Sequence, residues 1–239
     1  MKVLGVKIDN FSKKETLRKV EDFLSENKIH QIVTVNPEFI LRAQEDEEFK
    51  NILNDADLSI ADGAGIWFAF LRHLKYLKTR ITGIDLMLEI LRLAENKNLP
   101  VFLVSHKNAL SSWEETRDAI LKTHPDLKID GDLVGTECPF GCQSSKSIGD
   151  WAIVFCNFGA PHQERFIHSL KSLGQSKIRV AMGVGGGFDF LTGNRRRAPK
   201  ILRKIGLEWL WRFVGEPKRR AGRIWNAVVI FPIRVLLNK

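Results

Sequence analysis

Three cysteines in 239 residues, Cys138, Cys142 and Cys156, are too few and too unevenly spaced for a disulfide framework, and no ligand set accompanies them for a metal. They read as reduced thiols. No run of about eighteen apolar residues occurs, so no bilayer-spanning helix is expected. The amino terminus, Met1-Lys2-Val3-Leu4-Gly5, has neither the apolar stretch nor the small-residue cleavage site of a secretory signal, which points to the cytoplasm. Three nucleotide and acyl-transfer signatures are missing as well. The absence of GxGxxG after the first strand disfavours a nicotinamide dehydrogenase, and without GxxxxGK[ST] or GxSxG there is neither a P-loop nor a hydrolase nucleophile elbow.

What is present is an ordinary globular composition, 44% hydrophobic and 27% charged, long enough for one full core and a small appendage. The net charge of +9 is unevenly placed. From Arg195 onward there are 13 Lys and Arg against Glu208 and Glu216, whereas residues 1–194 hold 24 basic against 26 acidic side chains. A basic tail, 195–239, thus follows a near-neutral body, 1–194, and such a tail calls for an anionic partner.

The body alternates short β-branched runs with amphipathic stretches. That pattern predicts an α/β fold, a Rossmann-like and mainly parallel sheet flanked by helices, with a basic amphipathic helical appendage at the carboxyl end. Strands are expected at Gln31 to Val35, Leu58 to Ala61, Val101 to Val104, Trp151 to Asn157 and Ile178 to Gly183. Asn36 and Pro37 suit the N-cap and first turn of a helix running to Gln44, and a second helix begins near Gly65-Ile66-Trp67. Thr82 to Asp85 has capping-box spacing ahead of an apolar helical run from Leu86 to Leu93.

Four segments hand a strand over to a helix or loop: Thr34-Val35-Asn36-Pro37, Asp62-Gly63, Gly159 to Glu164, and Gly185 to Asp189. In open α/β sheets, ligands settle at the carboxyl ends of strands, where helix N-termini offer free N–H groups to anions. The four segments are therefore expected to share one crevice, with Gly185 letting backbone approach a phosphate. On local pattern alone the first reading of Asp62 is an N-cap, and Asn36 and Thr82 take the same reading. Two DxD triplets, Asp55-Ala56-Asp57 and Asp130-Gly131-Asp132, raise a metal-diphosphate site. The first precedes a strand, at the wrong end for the crevice, and the second reads as a loop, so both are read as solvated turn carboxylates. His162 and His168, six apart, do not share a helix face as a metal pair would.

In the tail, Ile201, Leu202, Ile205, Trp209 and Phe213 follow helical spacing, and Trp211, Trp225 and Phe231 accompany dense Arg and Lys. This mixture suits a helix lying in the plane of an anionic bilayer. The run Ala227 to Phe231 is broken by Pro232 and Arg234 and is too short to cross. No helix-turn-helix, zinc-finger or RNA-recognition signature accompanies the charge, so no nucleic-acid partner is assigned, although a non-catalytic membrane- or nucleic-acid-binding protein stays the alternative class.

Several motifs together resemble one family, the WecG/TagA/CpsF glycosyltransferases, family 26 in glycosyltransferase classification. They are Thr34-Val35-Asn36-Pro37-Glu38, Ala61-Asp62-Gly63, Arg80 to Asp85, Gly159 to Glu164, Gly183 to Phe190, Arg197-Ala198-Pro199, and Gly206 to Arg212 followed by Glu216-Pro217. The resemblance runs from about residue 3 to about residue 225. It implies an inverting, metal-independent and cofactor-free transfer of an N-acetylmannosamine-type sugar from UDP to a polyprenyl-diphosphate-linked GlcNAc, in teichoic acid or other surface-polysaccharide synthesis. Asp62 then matches the carboxylate taken as the base. Thr34, Asn36, Arg80 and Gln163 match polar positions lining the family's pocket, with Gly185 and Asp189 added as substrate-binding candidates. Arg212, Arg219 and Arg223 match tail arginines that close over the diphosphate while docking on the inner face of the cell membrane. A homo-oligomer is compatible with this reading. The chain departs from the family pattern at Ser105-His106-Lys107-Asn108 and at Asp132-Leu133-Val134-Gly135, two segments read as loops near the nucleotide or sugar.

Overall fold

The computed structural model describes residues 1–135, 148–172 and 176–237, so Cys138 and Cys142 lie outside the described residues. In chain order a two-stranded antiparallel hairpin, β1 (Lys2–Val3) and β2 (Val6–Lys7), leads to α1 (Lys13–Ser25), β3 (His30–Val35), α2 (Pro37–Arg42), α3 (Glu47–Asp55) and β4 (Leu58–Ala61). Then come α4 (Ala64–Arg72), α5 (Gly83–Asn96), β5 (Val101–His106), α6 (Trp113–Leu121), β6 (Ile129–Val134), β7 (Ile153–Cys156), α7 (His162–Leu170), β8 (Val180–Gly183) and α8 (Gly187–Thr192). The tail folds as α9 (Lys200–Lys204), α10 (Glu208–Gly215), α11 (Pro217–Trp225), a π-helical turn and α12 (Phe231–Leu237).

Six strands form one parallel sheet in the order β4-β3-β8-β7-β5-β6. β3, β4, β7 and β8 are buried along their whole length because both faces are covered, which is why they read as short, mostly apolar runs. Successive side chains still serve opposite faces. Ile32, Leu58, Ile60, Ile153 and Phe155 join the core under α1, α5 and α8, with Met87, Ile90 and Phe188. Val33, Val35 and Ala61 turn to the other layer with Phe49, Ile66 and Phe70 from α3 and α4, while Val154 and Cys156 pack with Ile167 of α7.

Local signals explain the helix starts. Ser12 and Ser112 form capping boxes with Glu15 and Glu115, and the Asn36 side chain accepts from the Phe39 amide while Pro37 occupies the first turn of α2. Thr82 accepts from the Asp85 amide but donates its hydroxyl to the Asp85 carboxylate, so one half of the expected capping box is replaced by a side-chain pair.

Two expectations need correction. Asp130-Gly131-Asp132 is not a loop: it lies inside β6, paired in register with β5. Of the two segments read as loops, Asp132 to Val134 is strand, and Ser105 and His106 end β5. A smaller difference is that α2 stops at Arg42 rather than Gln44. The tail, in turn, is a series of short helices interrupted at Gly206 and at Glu216-Pro217. Its last helix folds back so that Phe231 and Val235 are buried against α4 and α2, each such burial contributing about 1.5–3 kcal/mol. That contact holds the tail over the carboxyl edge of β3 and β4.

Candidate active site

The sheet order sets the four handover segments side by side, because β4, β3, β8 and β7 are neighbours and all end at the same edge. Over the β3–β4 half of that edge the tail encloses a pocket of about 410 Å³. Its floor holds Asn36, Asp62, Gly63, Arg80 and Thr82; its roof holds Glu208, Trp209, Arg212, Arg220, Arg223 and Ile224.

Asp62 follows directly on β4, its amide bonded to the Val35 carbonyl at 2.8 Å, and the chain then turns through Gly63 at φ +87. A left-handed backbone there suits glycine and sends the chain straight into α4. The capping reading of Asp62 is overturned. Gly63 is the N-cap of α4, no side chain caps that helix, and the Asp62 carboxylate instead faces the Gly83 amide at the start of α5. Burial pushes its pKa up from 3.8 to about 6, against the pull of Arg212 and Arg80 and with a push from Glu208. A carboxylate whose pKa is raised toward neutrality, set among cations in a pocket, is suited to act as a base near neutral pH.

Arg80 gives one guanidinium nitrogen to the Arg203 carbonyl at 2.5 Å. Gly206 makes this approach possible: its φ is +82, and a Cβ there would stand 2.6 Å from the Arg80 guanidinium. Arg212 is paired with Glu208 and stacks 4.8 Å over the Phe190 ring. Arg223 grips Glu38 through two nitrogens at 3.0 and 2.7 Å, tying α11 to the first turn of α2. Arg219 lies on the same helix, but its side chain is outside the described residues.

Other expected site residues lie behind or beside the pocket. Thr34 is buried on β3, its hydroxyl closing against Gly83. Gln163 is buried, and its side-chain oxygen accepts from both the Gly159 and the Gly185 amides at 3.1 Å while its nitrogen donates to Glu164 at 2.6 Å. It therefore staples the β7 and β8 loops together. Glycine is required at Gly183, where a Cβ would stand 2.4 Å from Gln163. Asp189 accepts from the Ser111 hydroxyl at 2.9 Å and faces Arg195 at 3.5 Å; Arg195 reaches Glu216, which in turn holds Arg220 at 2.8 Å. Asp189 thus stands at the core end of a charge relay that orients a pocket arginine. Arg197, from the Arg197-Ala198-Pro199 motif, bonds both Thr82 and Asp85.

Sequence reasoning passed over Glu38, Glu208 and Arg220. Glu216, Arg220, Arg223, Ile224 and Ala227 repeat at helical spacing, and that stripe was the available signal for Arg220. Among the described residues no three His, Cys, Asp or Glu side chains gather as a metal site. Asp57 lies at the opposite edge of the sheet, engaged by Lys171 at 3.0 Å and by Lys28 and His30. Nor, among the described residues, is any helix long and apolar enough to cross a membrane.

A model of the glycosyl transferase WecG/TagA/CpsF family matches residues 1–239. The chain is 30% identical over 219 residues to an N-acetylglucosaminyldiphosphoundecaprenol N-acetyl-beta-D-mannosaminyltransferase of Bacillus subtilis, covering 88% of this chain and 81% of that one. A Staphylococcus aureus protein of the same description is 30% identical over 244 residues, covering 99% and 92%.

Proposed function

The chain belongs to the WecG/TagA/CpsF family of glycosyltransferases, and from that premise we propose that it moves an N-acetylmannosamine-type sugar from UDP onto a polyprenyl-diphosphate-linked GlcNAc, with inversion and without a metal, in the synthesis of teichoic acid or a related surface polysaccharide. The observation that carries the reading is the Asp62 carboxylate, raised to about 6, on the floor of a pocket whose other charges are mainly arginine.

The acceptor hydroxyl loses its proton to Asp62 as its oxygen bonds to the anomeric carbon from the face opposite the UDP, and the bond from that carbon to the phosphate oxygen breaks with its electron pair on UDP. General-base help of this kind is typically worth about 10²–10⁴ in rate. The charge growing on the leaving diphosphate is met by Arg212, Arg220 and Arg223, preset by Glu208, Glu216 and Glu38, so little reorganisation is needed during the reaction. Asn36 and Arg80 line the same pocket and are assigned to substrate contact, whereas Thr34, Gln163 and Asp189 are assigned to positioning the loops and arginines around it. Arg219 is assigned to the diphosphate through the family resemblance. The outward tail side chains Trp211, Val214, Trp225 and Leu237 are exposed among basic residues and support peripheral docking on an anionic membrane.

The test is a screen of UDP-sugars against a polyprenyl-diphosphate-GlcNAc analogue, reading UDP release and product mass with and without EDTA. Transfer from UDP-N-acetylmannosamine that survives EDTA is expected. Turnover lost in EDTA and restored by Mg²⁺ or Mn²⁺ would refute the metal-free mechanism.

A further inference from the structure

Arg80 has a second side. Opposite the Asp62 pocket it lines another cavity, of about 750 Å³, together with Thr82, Asp85, Lys200, Arg203, Trp67 and Ile205. The two cavities share Ala64, Arg80, Thr82 and Gly206, so they are neighbours with those four residues in the wall of both. Among the described residues neither Arg80 nor Lys200 has a carboxylate within ion-pair distance, and the one carboxylate lining this cavity, Asp85, is held by Arg197 at 2.8 Å and lies 3.9 Å from Arg203. The cavity therefore carries surplus positive charge.

Its rim is apolar and uncovered. Trp67 and Leu71, one turn apart on α4, are 54% and 53% exposed, and Ile201 and Ile205, one turn apart on α9, are 73% and 61% exposed. Just beyond α4, Leu74 and Tyr76 project further, next to Arg72 and Lys75. Aromatic and aliphatic side chains ringed by basic ones form the pattern that seats in the headgroup layer of an anionic bilayer. An apolar rim around a cation-lined hollow matches an amphiphile with a diphosphate head and a hydrocarbon chain.

We propose that the cavity between α4 and α9 binds the polyprenyl-diphosphate end of the acceptor, with Arg80, Lys200 and Arg203 on the diphosphate and with Trp67, Leu71, Ile201 and Ile205 in the lipid surface. The assignment deepens the glycosyl-transfer reading and rests on it. In such an acceptor one sugar ring separates the diphosphate from the reacting hydroxyl. A diphosphate held in this neighbouring cavity places that ring beside Arg80 on the way to Asp62, and the arginines of α10 and α11 are left for the diphosphate of the donor. One diphosphate would then lie on each side of Arg80.

The experiment is calorimetric titration of the full chain with farnesyl diphosphate, farnesol and inorganic pyrophosphate. Farnesyl diphosphate is expected to bind at least tenfold more tightly than either fragment. Lys200→Ala with Arg203→Ala, and separately Trp67→Ser with Ile205→Ser, should each weaken it tenfold or more. Lys14→Ala with Lys97→Ala, which removes the same charge from exposed positions elsewhere, should change nothing. In turnover the first pair should raise the acceptor KM and leave the donor KM unchanged. Pyrophosphate binding as tightly as farnesyl diphosphate would reduce the cavity to a phosphate site. Unchanged affinity in both variants, or a raised donor KM instead, would overturn the proposal. Wild-type protein that binds farnesyl diphosphate in this pattern yet transfers no sugar would refute the function proposed above and leave the lipid subsite standing.

Discussion

Replacing Asp62 by Asn should make the protein more stable and nearly inactive at once. Folding raises the Asp62 pKa from 3.8 to about 6, which means that the ionised side chain is disfavoured in the folded state. Two pKa units correspond to about 3 kcal/mol, and because the pocket is open to solvent a discounted gain of about 1–3 kcal/mol is expected from a neutral isostere at neutral pH. The sign follows from proton binding. Between pH of about 4 and 6 the folded state holds a proton that the unfolded state has released, so wild-type stability falls as pH rises through that window and is level above it. Asp62→Asn should therefore differ least from wild type at or below about pH 4 and exceed it most at pH 7.5, with a melting temperature several degrees higher there for a chain of this length. The same substitution removes the proposed base, and kcat should drop by about 10² or more. Thermal unfolding at the two pH values, beside turnover at the higher one, checks both halves. A variant less stable than wild type at pH 7.5, a stability difference that ignores pH, or near-normal kcat would each refute this account of Asp62.

Glu164 is fully enclosed beside Cys156, and its pKa is pushed by burial from 4.5 to about 7; Glu164→Gln should leave stability nearly unchanged at about pH 4 and raise it by about 2–3 kcal/mol at pH 8, read by denaturant melts at both values. Gly206→Ala must place a Cβ 2.6 Å from the Arg80 guanidinium at a φ of +82, so a loss of about 1–3 kcal/mol in melts and a fall in kcat on the order of tenfold are expected, the second because Arg80 is displaced. Truncation before Arg195 should abolish liposome co-sedimentation and turnover together, while Arg219→Ala or Arg223→Ala should reduce turnover more than membrane binding, since each remaining basic residue near an anionic surface contributes about 1 kcal/mol. A truncated chain that turns over a short soluble acceptor at the full rate would remove the tail arginines from the active site.

The interior strands were legible because each is a short, mostly apolar run buried on both faces, a pattern that only a covered sheet imposes. β6 escaped because its two carboxylates, Asp130 and Asp132, interrupt the apolar pattern that marks the other strands, and because Gly131 imitates a turn. That glycine answers to packing: a Cβ there would stand 2.3 Å from the Leu103 carbonyl and 2.7 Å from the Trp113 ring. In the site, Asp62, Asn36 and Arg80 could be chosen from their place after strands or in motifs, since the parallel topology fixes where strand ends meet. Glu38 and Glu208 stand within quoted motifs and Arg220 on a helical stripe, but their partnership around one pocket could not be read there, because it is created by the tail folding back through Phe231 and Val235. Gln163 and Asp189 were found as polar residues in the right segments, but only the hydrogen-bond pattern distinguishes a staple from a ligand contact.

The central claim, direct displacement assisted by one carboxylate, is tested most directly by the configuration of the product. The full chain would be incubated with an α-linked UDP-N-acetylmannosamine and a lipid-diphosphate GlcNAc acceptor, and the new glycosidic bond read by nuclear magnetic resonance. A β-linked disaccharide, formed by wild type and lost in Asp62→Asn, is the outcome that the proposed mechanism predicts. An α-linked product would contradict it, because a single in-line displacement inverts the anomeric carbon.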